Sequence, residues 1–526
     1  MQLIGDVLPQ PHKLPNDMYQ CKRLTKALGM GYEKIDMCPD GCMLFCDDHV
    51  YKKKCLKCGK GRYVKVVNED GDHVTTHVAQ KQLRSFPMAP RFKRLFLSMK
   101  TCESMRWSKE GVRDNPGFIR HPADSDAWKA LDEFKRLFLS MKTCESMRWS
   151  KEGVRDNPGF IGHPADSDAR NICFGLATDG FTPFGQSAAS YSCWPVFVIP
   201  YNLPPHMCMK YEFMFFCLII LDPEYPGPKI NVMLQPLIKE LKQLWYGVEA
   251  YDISLKAAYL WSVHDFMAYG IFAGWSVHGT LTCPICGVDT RCFCLEFGGK
   301  ICYFDCHRCW LPSNHIFRGE KDSFRKDTIC YEGPPKRLSA KEILDQLASL
   351  KLNEEKTAYE GFGKEHNWTH ISGIWDLPHA KALKLPHNID VMHQERNVAE
   401  SIISTCMDFS DKTKDNVKAR KDLAKICKRP TLELTASGGK LRAPEERSVE
   451  MDEKLKFLDG YAAGLKRAVN LKTGKLNGLK AHDYHIIIER LMHVMFRGYL
   501  PDGVWSVLAE LTISIDSFVL KRSRKR

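Results

Sequence analysis

Three acidic residues stand in otherwise apolar surroundings, where a carboxylate could do chemistry. Asp179 ends the apolar run 172–178, Asp265 ends the run 257–264, and Glu395 lies in DVMHQERNV, which predicts the start of a helix. A carboxylate at the end of a buried strand costs desolvation free energy unless it binds a metal ion or hydrogen-bond donors. Two strand-borne Asp and one helix-borne Glu could therefore hold a pair of Mg²⁺ (or Mn²⁺) ions for phosphodiester chemistry. The alternative is that each Asp caps a turn.

Two cysteine pairs near the N-terminal end have the spacing of a structural zinc site. Twelve residues separate the pair Cys38 and Cys42 from the pair Cys55 and Cys58. A glycine directly after Cys58 lets backbone amides approach the thiolates. Four protein ligands would leave no open coordination position, so this Zn²⁺ would be structural. The alternative is a set of free, reduced thiols.

A second segment rich in cysteine and histidine runs from about residue 279 to 319 and also favours zinc. It contains a Cys283-x-x-Cys286 pair followed by several more cysteines and two histidines. The spacing leaves the ligand choice open, because the segment also holds these cysteines: Cys292, Cys294, Cys302, Cys306 and Cys309.

Composition bounds the class of protein. The chain has 526 residues, of which 44% are hydrophobic, so it can form two to four domains with a real core. Its formal charge of +13 favours a polyanionic partner such as nucleic acid. The 22 cysteines come without a secretory leader, which argues against a secreted disulfide protein. No stretch of about 18 apolar residues predicts a membrane span.

An internal repeat interrupts the first third of the chain. A block of 36 residues beginning at Phe92 recurs at Phe134, a period of 42 residues, and the copies differ only at Arg120 against Gly162. Solenoid repeats diverge further and occur at least three times, so this pattern indicates a recent duplication. We predict that one copy packs in the domain and that the other forms an added helix and loop on the surface.

The hydrophobic pattern from residue 171 onward predicts an α/β core. YSCWPVFVIPYNLPP and YEFMFFCLIIL predict neighbouring strands, and residues 229–248 predict a helix with one apolar face. The run before Asp265 then predicts another strand. Strands, then a helix, then a strand is an order that suits a ribonuclease-H-like core.

Four long motifs resemble the transposase of plant CACTA (En/Spm-type) DNA transposons. They are GLATDGFTPFGQSAASYSCWPVFVIPYNLPP, AYLWSVHDFMAYGIFAGWSVHGTLTCPICG, LPHNIDVMHQERNV and GLKAHDYHIIIERLMHVMFRGYLPDGVW, and the resemblance extends from about Leu14 to about Phe518. It implies a ribonuclease-H-like fold and cut-and-paste transposition, with Asp179, Asp265 and Glu395 as the catalytic metal ligands.

The resemblance also orders the remaining candidates. It implies Cys283, Cys286, His307 and His315 as the second zinc set, and it prefers Glu395 to its neighbours Asp390 and Glu400. Four histidines could orient water or contact phosphate, although lone histidines are more often surface or core residues: His264, His278, His387 and His393.

Partners and location follow from the same resemblance. We expect the protein to bind transposon terminal repeats and target DNA, to self-associate on paired ends, and not to bind membranes. Basic residues of the N-terminal part and of KARKDLAKICKRP are candidate phosphate contacts. The basic C-terminal run KRSRKR is either a nuclear-import signal or a solvated tail, and we expect nuclear localisation. Because the duplication precedes the strand of Asp179, an inactive zinc-stabilised DNA-binding relic is the alternative function.

The sequence predicts six segments. They are an N-terminal zinc-knuckle-like region (1–91), the duplicated segment (92–170), the first part of the core (171–278), the Cys/His-rich insert (279–319), the rest of the core with the third acid (320–407), and a charged loop with C-terminal helices (408–526).

Overall fold

The chain divides into two compact units. In this computed structural model, the first unit comprises residues 1–276, 338–362 and 367–388, and the second comprises 277–337, 363–366 and 389–526. The structure describes residues 17–27, 29–67, 71–110, 121–125, 128, 171–181, 192–222, 226–250, 253–303, 305–322, 324, 328–353, 358–383, 386–406, 412–428, 432–434, 469–470, 475–476, 479, 481–497, 500 and 502–523.

The three longest strands of the described residues, Ser192–Pro200, Phe215–Asp222 and Ala257–His264, belong to the main sheet. In chain order they are β1 (Glu33–Met37), β2 (Tyr63–Val67), β3 (His73–Ala79), β4 (Lys81–Ser85), β5 (Ile172–Thr178), β6 (Ser192–Pro200), β7 (Phe215–Asp222), β8 (Val248–Ala250), β9 (Ile253–Leu255), β10 (Ala257–His264), β11 (Phe293–Cys294), β12 (Ile301–Cys302), β13 (Leu352–Asn353), β14 (Ala358–Tyr359), β15 (His387–Ile389), β16 (Val469–Asn470) and β17 (Lys475–Leu476).

The α-helices occur in both units. In chain order they are α1 (Met18–Ala27), α2 (Met88–Leu95), α3 (Met99–Met105), α4 (Trp107–Glu110), α5 (Pro205–Cys208), α6 (Ile230–Tyr246), α7 (Phe266–Ala273), α8 (Ile316–Gly319), α9 (Ala340–Ser349), α10 (Val391–Cys406), α11 (Val417–Ile426), α12 (Ala481–Ile486), α13 (Met492–Met495) and α14 (Asp502–Ser523). A π-helix, Ile487–Leu491, joins α12 to α13. Among the described helices, none has both the length and the apolarity that a bilayer span requires.

A seven-stranded mixed sheet forms the centre of the first unit. Its strand order is β1-β4-β7-β6-β5-β10-β15. The pairs from β1 to β5 along this order are antiparallel, whereas β10 lies parallel to β5. A parallel neighbour needs a long crossover, which the chain makes through α6. The sequence therefore predicts the central strands correctly, including the adjacency of β6 and β7.

The helix α6 covers this sheet with one apolar face. Its buried side chains recur at helical spacing, and each is at most 7% exposed: Ile230, Met233, Leu234, Leu237, Ile238, Leu241, Leu244 and Trp245. Burying a Leu or Ile side chain stabilises a fold by about 1.5–3 kcal/mol. The apolar face predicted from the sequence is confirmed, and it fixes the crossover that brings β10 beside β5.

The first copy of the repeat contributes to this core. Phe92 and Met105 are fully buried, and the carboxylate of Glu240 on α6 accepts hydrogen bonds from the Met88 and Ala89 amides at 2.7 and 2.9 Å. Those amides belong to the first turn of α2, whose donors need an acceptor. Burial raises the pKa of Glu240. Phe92 and Met105 of the first copy are thus packed in this core, whereas the second copy lies outside the described residues.

The second unit has its own helical core and a Cys/His-rich insert. Buried side chains of α10 pack with those of α12, the π-helix, α13 and α14: Ala399, Ile403, Tyr484, Ile487, Ile488, Met492, Phe496 and Leu508. In the insert, Arg318 donates to the Cys309, Leu311, Cys330 and Glu332 carbonyls. The equally buried Arg308 donates to three further carbonyls and stacks on the Phe324 ring.

Candidate functional site

Asp179 and Asp265 lie side by side at one edge of the main sheet. The register pairs Val263 of β10 with Ala177 of β5, so the residues two positions further along each parallel strand are the two aspartates. Neighbouring strands are about 4.8 Å apart. Each Asp is the first residue after its strand. The first unit therefore brings together two of the three predicted acids, through the parallel pairing of β5 and β10.

The two aspartates have different surroundings. Oδ1 of Asp265 accepts a hydrogen bond from the Ala268 amide at 2.6 Å and caps α7. Its Oδ2 can still receive a cation, because a carboxylate has several lone pairs. Asp179 is exposed to solvent. Asp265 therefore has the capping role that the sequence offered as an alternative. The cap orients the carboxylate through Oδ1 and leaves Oδ2 available for a cation.

A buried histidine joins the ends of the two strands. Nδ1 of His264 donates to the Thr178 carbonyl at 3.3 Å, one residue before each aspartate. Burial lowers the pKa of His264 to about 4, and burial also holds the pKa of His387 well below its ordinary value. Both side chains are at most 3% exposed. These two histidines are therefore core residues, which is the alternative that the sequence offered for lone histidines.

Glu395 belongs to the second unit, where His485 holds its carboxylate. Nδ1 of His485 donates to Oε2 of Glu395 at 2.6 Å, and Nε2 of the same ring lies 3.5 Å from Oε2 of Glu489. All three side chains are at most 19% exposed. Glu489 lies in the π-helix, a wider helical turn that is frequent at functional sites.

The neighbouring acids of α10 have other partners. Oδ1 of Asp390 accepts from the Met392 amide at 2.9 Å at the start of the helix. Glu400 pairs with Lys412 at 2.5 Å on an exposed surface. Glu395 alone of these three carboxylates is held by a histidine, which is the arrangement that orients a metal-ligating group. The sequence did not predict that His485 contacts Glu395. The one local indication of a functional His485 was its spacing of four residues from Glu489.

The N-terminal cysteines form a compact cluster. The Sγ atoms of Cys38, Cys42, Cys55 and Cys58 all lie within 4.8 Å of one another. Tetrahedral Zn²⁺ with bonds of about 2.3 Å places sulfurs about 3.8 Å apart, so four thiolates at these positions fit the ion. Gly41 and Gly59, with φ of 70° and 73°, make the two turns that such loops require. The cluster could therefore bind zinc.

The thiols differ in their readiness to ionise. Burial raises the pKa of Cys38 to about 12. Burial also raises the pKa of Cys55, but hydrogen bonds from the Cys58 and Lys57 amides outweigh it and bring that pKa to about 7. Zinc binds the thiolate form and releases protons on binding. Cys55 is thus the first ligand to be available at neutral pH.

The second Cys/His set is less closely assembled. A hydrogen bond from the Cys286 thiol, with a smaller contribution from His307, lowers the pKa of Cys283 to about 6. Nδ1 of His315 accepts from the Phe317 amide at 3.2 Å and caps α8. Within the described ranges, the only trio of such ligand atoms lying within 4.8 Å belongs to the N-terminal cluster. The zinc set of the insert remains a prediction.

Several basic residues of the run KARKDLAKICKRP form ion pairs within the protein. Arg420 binds Asp415 through two nitrogens, at 2.7 and 2.8 Å. Lys425 pairs with Glu296, and Lys428 pairs with Asp322. Lys418 is the basic residue of this run that lines a cleft of the second unit, among the described residues. Two of the four basic residues of α11, Arg420 and Lys425, are therefore paired with carboxylates of the second unit.

Comparison with known proteins relates the chain to transposases. Residues 144–350 match the model of the transposase family tnp2, a range that includes Asp179 and Asp265 and ends before Glu395. The match begins inside the second copy of the repeat. A comparison with curated proteins gave no match. The similarity to the tnp2 family supports a transposase function in general for this chain, and with it DNA binding.

Proposed function

We propose that this protein is a CACTA (En/Spm-type) DNA transposase with a ribonuclease-H-like core. It would cleave DNA at the ends of its element and transfer the freed strand to a target. The observation that carries the proposal is the placement of Asp179 and Asp265 after neighbouring parallel strands, within the segment that resembles tnp2 transposases. Ligands and substrates of α/β sheets bind at such carboxyl ends.

The strand order supports the choice of core. Three antiparallel strands, β7, β6 and β5, are followed along the chain by α6 and then by β10 on the other side of β5. This arrangement leaves β5 between an antiparallel and a parallel partner. We infer a ribonuclease-H-like core from it, with β1 and β4 as an added edge.

The proposed site uses carboxylates for a hard cation. Divalent Mg²⁺ prefers oxygen ligands, and a pair of such ions would activate the attacking oxygen and stabilise the leaving one. In the proposal, Asp179, Asp265 and Glu395 would supply the carboxylate oxygens that hold these ions. His264 holds the ends of β5 and β10 together, and His485 orients Glu395.

The remaining parts of the proposal concern partners. Zn²⁺ at Cys38, Cys42, Cys55 and Cys58 would stabilise the N-terminal part, and a second Zn²⁺ would use ligands from the insert. The DNA substrates would be terminal repeats and target DNA, bound by a multimer on paired ends in the nucleus. The positive charge of +13 supports a polyanionic partner.

The alternative function is DNA binding without cleavage or strand transfer. Asp265 and Glu395 both have protein partners without a metal ion, and the duplicated block lies directly before the strand of Asp179. A protein of this kind would occupy element ends without cutting them. Cleavage with Mg²⁺ or Mn²⁺ separates the two functions.

The third acid can be tested within α10. We expect Glu395→Gln to abolish nicking of DNA that carries the terminal repeats, while DNA binding changes by only a few fold. Asp390→Asn is the matched control, at the residue just before the same helix, and it should retain nicking. Wild-type cleavage by Glu395→Gln, or equal loss in Asp390→Asn, would contradict the assignment of Glu395.

A further inference from the structure

The second unit contains a polar cleft of about 960 Å³. One wall is a stripe of α10 at helical spacing, formed by Asn397, Glu400, Ser401 and Ser404. The opposite wall is the start of α11 with the segment before it, and the turn between β11 and β12 closes one end. Glu395 instead contacts His485 of α12, so Glu395 and the cleft lie on different sides of α10.

Positive charge predominates in this cleft. Its lining includes four lysines, Lys300, Lys412, Lys414 and Lys418, and two carboxylates. Glu400 is paired with Lys412. The buried Asp422 is the second acid.

Asp422 does not neutralise a lysine of the cleft. It accepts hydrogen bonds from the Phe297 and Gly298 amides at 2.8 Å each and so fixes the turn between β11 and β12. The ammonium groups of Lys300, Lys414 and Lys418 are left as surplus charge on the exposed lining. Hydroxyls of Ser401, Ser404 and Thr413 lie beside them as neutral donors.

The other basic side chains of α11 lie outside the lining of the cleft. Lys421 and Lys425 lie over the Phe297 ring, at 5.6 and 4.9 Å from its centre, and Lys425 also pairs with Glu296. Arg420 is paired with Asp415. The same short helix thus pairs Arg420 and Lys425 with carboxylates and leaves Lys418 in the cleft.

We propose that this cleft binds the phosphodiester backbone of DNA, on a side of α10 different from the one that carries Glu395. Several lysines together with hydroxyl donors suit phosphate oxygens. No base-reading arrangement accompanies them, so binding here is independent of sequence. The inference rests on the proposed function only in taking DNA as the polyanion.

Salt dependence tests the cleft quantitatively. Each phosphate contact contributes about 0.9 to the slope of log K against log salt concentration for duplex DNA, and about 0.7 for a single strand. The variant Lys300→Gln/Lys414→Gln/Lys418→Gln should therefore lower the slope by about 2.7 for a duplex lacking terminal repeats. Between 50 and 200 mM KCl, the wild type should lose about 40-fold more affinity than this variant.

A matched variant removes the same charge outside the cleft. Lys421→Gln/Lys425→Gln/Lys428→Gln changes three lysines of the same segment, and its slope should stay within about 1 of the wild type. Both proteins must show the wild-type thermal transition. Equal slopes for wild type and the cleft variant, or an equal loss in the matched variant, would overturn the cleft while leaving the transposase proposal intact. A wild-type protein that binds no DNA would overturn both.

Discussion

The two units hold their candidate functional residues by different physical means. In the first unit, Asp179 and Asp265 follow strands of an apolar sheet, and burial keeps His264 neutral. The four thiols of the N-terminal cluster lie within 4.8 Å of one another. In the second unit, polar contacts of charged side chains hold the segments together. Arg318 donates hydrogen bonds to four carbonyls, and His485 lies between the carboxylates of Glu395 and Glu489. The first unit should therefore be sensitive to metal removal and acid, and the second to loss of single charged groups.

The largest effect is expected at the N-terminal cysteines. Cys55→Ser removes the ligand whose thiol ionises most readily, so the protein should lose one equivalent of bound zinc and at least about 3 kcal/mol of unfolding free energy in the first unit. Zinc content by mass spectrometry and chemical denaturation measure both. Cys46→Ser, a neighbouring thiol outside the cluster, is the matched control. Unchanged zinc content in Cys55→Ser would contradict the cluster.

Loss of a buried arginine should be nearly as costly in the second unit. Arg318→Met leaves four carbonyls without their donor, and charge-assisted hydrogen bonds contribute about 1.5–3 kcal/mol each before relaxation. We expect a loss of about 3 kcal/mol, measured by chemical denaturation. Arg291→Met removes only an exposed pair with Glu332 and should cost under about 1 kcal/mol. Equal effects would show that the insert does not depend on Arg318.

Acid should weaken the first unit through its buried histidines. Burial lowers the pKa of His370 to about 4, below the unfolded value of about 6.5. Its neutral form therefore stabilises the fold above pH 6.5, and this stability is lost as the pH falls through about 4. His370→Asn should reduce the pH dependence of the unfolding free energy by about 2–3 kcal/mol over that range. The exposed His206→Asn serves as control, and an unchanged pH profile in His370→Asn would be inconsistent with this account.

The smallest effect is expected at the histidine that orients Glu395. His485→Phe removes the donor at similar volume, so nicking should fall by about 10–100-fold and the Mn²⁺ concentration for half-maximal activity should rise. His485→Asn places an amide donor near the Nδ1 position and should recover part of the activity. A purely structural role would lower thermal stability without moving the Mn²⁺ dependence.

The central sheet was predictable because its signals are local. Val196, Val198 and Ile199 in β6, and the apolar face of α6, have the spacing of buried elements in the sequence itself. The aspartates were predictable for the same reason, since each directly follows an apolar run. That these runs pair in parallel, with β10 next to β5, follows from the crossover through α6.

Other features depend on contacts between distant residues. His485 lies 90 positions from Glu395, and the residues around either one do not predict that the two are in contact. The N-terminal strands β1 and β4 extend the main sheet through pairing of β4 with β7, which no local pattern specifies. The lysines of KARKDLAKICKRP appear equivalent in the sequence, but Lys425 and Lys428 meet carboxylates more than 100 residues away.

The most direct measurement is metal-dependent nicking of DNA that carries the terminal repeats, comparing the wild type with Asp179→Asn. The account predicts nicking by the wild type in Mg²⁺ or Mn²⁺ and none by Asp179→Asn, with DNA binding retained in both. Wild-type protein that binds this DNA but does not cut it would contradict the catalytic proposal and favour the DNA-binding relic.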